Sequence, residues 1–63
     1  MTINRALDTL LELKSELTKL RKDTSEINNT VNKLLVIKME FGGRMRVDDD
    51  VVLGIERMIN ENK

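Results

Sequence analysis

Leu17-Thr18-Lys19-Leu20-Arg21-Lys22-Asp23-Thr24-Ser25-Glu26-Ile27-Asn28-Asn29-Thr30-Val31 is the stretch on which the fold turns. It is either the soft centre of one long helix or the connection between two. Two observations favour continuity. Apolar residues recur with spacings of three and four from Ile3 to Leu34, and the phase is the same on both sides of the stretch. With Ile3, Leu10, Leu17, Thr24 and Val31 at heptad position a, position d is held by Ala6, Leu13, Leu20, Ile27 and Leu34, so Thr24 is the one polar residue in the seam. The rival reading places a helix start at Asp23, with Glu26 three residues later completing a capping box. The unbroken phase outweighs that local signal, and one helix over residues 3–34 is expected, with Thr24 as a register-fixing polar residue.

Such a helix would be roughly 45–50 Å long, and fewer than thirty residues follow it. One copy could not cover its own stripe, so an oligomer is expected. A parallel dimer is favoured by Glu16 at g and Arg21 at the following e, with a trimer or tetramer as the alternative. Leu7 and Leu11 widen the stripe beyond the strict seam. Thr2 or Asn4 can cap the helix at its start.

Beyond Leu34 the period changes. Leu35, Ile37, Met39 and Phe41 alternate with Val36, Lys38 and Glu40, Gly42-Gly43 follows, and Arg44-Met45-Arg46-Val47 alternates again. This reads as a β-hairpin. A three-residue loop, Gly42-Gly43-Arg44, pairs Phe41 with Met45 and Met39 with Val47 on one face, and Glu40 with Arg46 and Lys38 with Asp48 on the other. The competing reading carries the helix on to Phe41 and stops it at Gly42. Lys38 would then fall at a core position, which argues for the hairpin. Asp48-Asp49-Asp50 next provides helix-capping oxygens and negative charge for a helix N-terminus. Val51, Val52, Ile55, Met58 and Ile59 form one face of a short final helix that Gly54 weakens.

The fold class expected is therefore mainly α and oligomeric: a coiled-coil oligomerisation helix over residues 1–34, then a head of β-hairpin and short helix over residues 35–63. The chain has 63 residues, no Cys, no His and one aromatic residue, and its eleven basic side chains balance eleven acidic ones. Those facts exclude much. Neither disulfide nor Cys/His zinc site can staple the fold, which leaves oligomerisation as the support for so small a core. Without His, a Cys nucleophile or a Gly-rich phosphate loop, no enzymatic centre and no cofactor are expected. The triple Asp lacks the spacing of a calcium loop. No apolar run approaches a membrane span or a secretory signal, so a cytoplasmic protein is the default.

The function expected is that of a non-enzymatic interaction or assembly protein, whose head locks the oligomer or docks a larger protein partner. Phe41, Met45 and Leu53 are the candidate partner surface, because the head holds more apolar groups than a hairpin and one helix can bury. The alternative is a small dimeric DNA-binding regulator touching phosphates or a groove through an Arg44/Arg46 ribbon. Even charge and a near absence of aromatic residues argue against general nucleic-acid binding.

Overall fold

The computed structural model describes residues 1–62 and contains three helices. Helix α1 spans Ile3–Lys19, α2 spans Ser25–Phe41 and α3 spans Asp49–Glu61. Neither the single helix over residues 3–34 nor the hairpin after it is present. The chain turns back on itself at residues 20–24, within the stretch read as continuous. The boundary drawn between residues 34 and 35 falls inside α2.

A sharp helix stop produces the turn. Arg21 adopts a left-handed conformation, φ 58°. The Lys22 N–H then donates to the Leu17 carbonyl at 2.9 Å, and the Arg21 N–H to Thr18 at 3.1 Å. These two bonds are the Schellman pattern, which satisfies orphaned carbonyls at a helix end. Glycine usually occupies the left-handed position, so an arginine there is strained by about 1–2 kcal/mol. The next helix has its own start signal. The Asp23 carboxylate accepts from the Ser25 backbone N–H at 2.9 Å and from the Ser25 hydroxyl at 2.7 Å. These two bonds, the hydroxyl's first, hold its carboxyl below the ordinary Asp range. Their stabilising effect is present above that range and is lost as pH falls through the depressed value.

Doubling back solves the burial problem within one chain. Helix α1 lies between the other two and packs against both, whereas α2 and α3 make no close backbone approach to each other among the described residues. The core consists of Ile3, Ala6, Leu7, Leu10, Leu13 and Leu17 from α1, Ile27 and Leu34 from α2, and Ile55 and Met58 from α3. Seven of the ten expected seam residues thus meet helices of their own chain, and Val31 is half-buried. Leu20 and Thr24 are the exceptions. Leu20 sits at the α1 C-cap and is 63% exposed, and Thr24 stands at the α2 N-cap position.

The residues read as a hairpin divide differently. Through Phe41 they continue α2, and the Gly42 N–H closes the helix by donating to the Lys38 carbonyl at 2.8 Å. Gly42 has φ 90°, open to glycine at no steric cost. Lys38, the residue that argued against a helix here, points to solvent. Residues 43–47 then run alongside the start of α1. The Ile3 N–H donates to the Met45 carbonyl at 2.8 Å, the Asn4 N–H to Gly43 at 3.0 Å, and the Val47 N–H to Met1 at 3.0 Å. Thr2 and Arg46 form an isolated antiparallel bridge. The remaining free donor of the first turn is also met, since the Thr2 hydroxyl accepts from the Arg5 N–H, and the Thr2 carbonyl accepts the first bond of the helix itself, from Ala6. A Cβ at Gly43 would strike the end of the Asn4 side chain, an exposed group that would have to swing aside.

Two predictions distinguish this fold from a continuous seam. Leu10→Ala should cost about 2–5 kcal/mol, as for a fully buried leucine, whereas Leu20→Ala should stay within about 0.5 kcal/mol in the same denaturant titration. A long heptad helix would make both substitutions costly. Arg21→Gly should stabilise the protein by about 0.5–1 kcal/mol, since relief of left-handed strain exceeds the added freedom of the unfolded chain. A lowered melting temperature would mean that the turn does not require the left-handed residue.

Candidate interaction surfaces

The functional residues expected from the sequence are surface residues, and the three-helix fold distributes them. Phe41 is exposed in the last turn of α2, and Met45 is exposed in the loop that follows, so the fold keeps these two near the Gly42–Gly43 turn. Leu53 stands apart on α3, 62% exposed, beside a groove lined by Asp50, Gly54 and Arg57. The three do not form one patch. Met45 also borders a small apolar crevice of about 50 Å3 with Ile3, Leu34, Ile37, Val47 and Val51. That volume suits packing rather than a ligand of any size.

Arg44 and Arg46 are both exposed on the loop, but there is no two-stranded ribbon among the described residues for them to stand on. Asp48, Asp49 and Asp50 follow at once, so the local field is mixed in sign. Asp48 takes the α3 N-cap position without a side-chain capping bond, and Asp49 and Asp50 lie in the first turn, where the helix dipole favours them. No group of three or more carboxylates is placed to hold a metal ion among the described residues. No helix there is long and apolar enough to cross a membrane.

Between α2 and α3 runs a shallow groove lined by Glu26, Thr30, Lys33, Val51, Gly54 and Met58. Arg57 reaches across it to Glu26 at 3.3 Å and lies 3.9 Å from Glu61 on its own helix. Both partners of the cross-groove pair are more than half exposed, so the bridge contributes at most about 1 kcal/mol. Gly54 is not explained by crowding: a methyl group at its Cβ position would meet nothing in this chain.

The largest concentration of exposed apolar side chains is one that the hairpin reading concealed. Leu35, Val36 and Met39 project from α2 away from the core, and Met39 is 87% exposed. On the helical wheel they share an arc with Ser25, Asn28, Asn29 and Asn32, and none of these seven residues is charged. Charged residues make up 35% of the whole chain. Those of α2 lie elsewhere, with Glu26 and Lys33 on the flank that faces α3. Leu11 of α1 extends the patch. The opposite flank of α1, carrying Thr9, Leu13 and Glu16, faces Ile59 of α3, so Leu11 emerges on the side of the α1/α2 pair that α3 leaves open. The signal was present in the sequence: Leu35, Val36 and Met39 have the spacing of one helical flank.

No family model, characterised protein or solved structure matches this chain.

Proposed function

We propose that this is a cytoplasmic, non-enzymatic interaction protein that works as a homo-oligomer. The single observation that carries the reading is the surface left over after folding. The chain exposes 4839 Å2, whereas a folded monomer of 7.3 kDa exposes about 4,200 Å2. Part of the excess is apolar: Leu11, Val36, Met39, Phe41 and Leu53 are each at least half exposed. Of these, Leu11, Val36 and Met39 lie with Leu35 on the side of the α1/α2 pair that α3 leaves open, and a contiguous apolar patch on a small protein marks an interface. Stability points the same way, because a ten-residue core in a chain without disulfide or zinc site is small enough for association to add materially to it. Formal net charge is zero, so copies approach one another without net repulsion. Phe41 and Met45, at the loop end, are the apolar groups available to a larger protein partner.

The melting temperature should rise with protein concentration, by about 3–6 °C per tenfold if dissociation and unfolding are coupled. A melt independent of concentration, together with a monomer mass in sedimentation equilibrium at 100-fold different loadings, would overturn the proposal.

A further inference from the structure

From the uncharged arc of α2 we infer that the oligomer is a two-fold dimer in which this arc meets the same arc of a second copy, α2 antiparallel to α2; the inference rests on the self-association proposed above. A two-fold interface places residues near the axis against their own images. A charged residue there would face an identical charge, which is destabilising, whereas a neutral one carries no such penalty. The arc of Ser25, Asn28, Asn29, Asn32, Leu35, Val36 and Met39 meets that requirement along the whole length of α2.

The polar members suit the arrangement as well as the apolar ones. A side-chain amide has donors at one end and an acceptor at the other, so Asn32, near the middle of the arc and hence on the axis, can hydrogen-bond to the matching amide of a second copy, which neither a carboxylate nor an ammonium can do, while Asn28 falls one turn away from the axis. Among the hydrogen bonds of the described residues, Asn32 has none through its side chain, and that of Asn28 reaches only Thr24, one turn back, at 3.4 Å. Depletion of charge at the centre with charge at the rim is the usual composition of an interface. Here Asp8 stands at the outer α1 edge of the face, while Lys14 is half-buried between Leu11 and α2, its long stem able to carry the ammonium to the rim; neither is in the described salt bridges.

Area is sufficient for a modest dimer. Leu11, Leu35, Val36 and Met39 expose on the order of 100 Å2 each, and with the asparagines and serine this gives roughly 600–700 Å2 per copy, near the lower limit of stable protein interfaces. The same face of α1 contributes Leu11 from each copy, so two helical hairpins would stack into a four-helix layer with α3 on the two outer sides. The third apolar candidate, Leu53, is then outside the interface.

Sedimentation equilibrium on three chains tests the inference, with helix content followed by circular dichroism. The wild type should be dimeric. Val36→Glu/Met39→Glu should weaken association at least ten-fold while keeping its helix content, and Leu53→Glu on α3 should leave the dimer intact. Because the chain has no cysteine, Asn32→Cys adds an independent measurement: mild oxidation should give a covalent dimer at a rate well above that of a Leu53→Cys control. If the α2 double variant loses helix content, the cysteine pair alone decides. A dimeric wild type whose double variant remains folded and dimeric, or whose Leu53→Cys chain crosslinks faster than Asn32→Cys, would overturn the α2 interface while leaving self-association standing. A monomeric wild type would overturn both.

Discussion

The apolar stripe of α1 is the constraint on which the structure depends, because α2 and α3 both meet that stripe and, among the described residues, make no close backbone approach to each other. Ile3, Ala6, Leu7, Leu10, Leu13 and Leu17 are all buried, and each of the other helices contributes only two fully buried residues. A stripe wide enough to hold two partners needs more than the two rows of a heptad seam, and Leu7 supplies the additional row. The N-terminus of α1 is held with equal care. Its first four N–H groups are taken up by carbonyls of Gly43 and Met45 and by the hydroxyl and carbonyl of Thr2, so the loop between α2 and α3 is tied to the helix it must cross.

The reversal at residues 20–24 follows from the same burial requirement. Seventeen-residue helices on either side of it are of equal length, so folding back lays one stripe along the other. The energetic cost is a left-handed arginine and an exposed Leu20. Against these stands the burial of Ile27 and Leu34, each worth about 1.5–3 kcal/mol when fully removed from water. The loop is short, so closing it costs little entropy.

Much of the fold was legible at the level of which residues face inward. Ile3, Ala6, Leu10, Leu13, Leu17, Ile27 and Leu34 are apolar in a common phase and buried together, and the Ile55/Met58 face of the last helix reads correctly from its spacing. The turn was not legible, because the residue that makes it is arginine and because the loop length preserves the heptad phase across the break. Periodicity reports which side of a helix is apolar; it does not report whether the partner stripe belongs to another copy or to the same chain. The supposed strand misled for a different reason. Leu35, Ile37, Met39 and Phe41 alternate because one helix there is apolar on two flanks, with only Ile37 turned toward the core. That outward flank is also what distinguishes the candidate surface, so the local feature that disguised the helix is the one that bears on function.

The exposure of a charge-free face on α2 and the excess of exposed surface both follow from a fold in which α3 covers one side of a helical hairpin and leaves the other open. The hairpin itself is therefore the claim to test. Spin labels at exposed Arg5 and Glu40, measured in doubly labelled chains diluted into unlabelled protein, report their separation within one chain. The account predicts a distance under roughly 25 Å, as for antiparallel helices packed 8–10 Å apart. A separation near 50 Å, the length of thirty-five residues in one continuous helix, would contradict it.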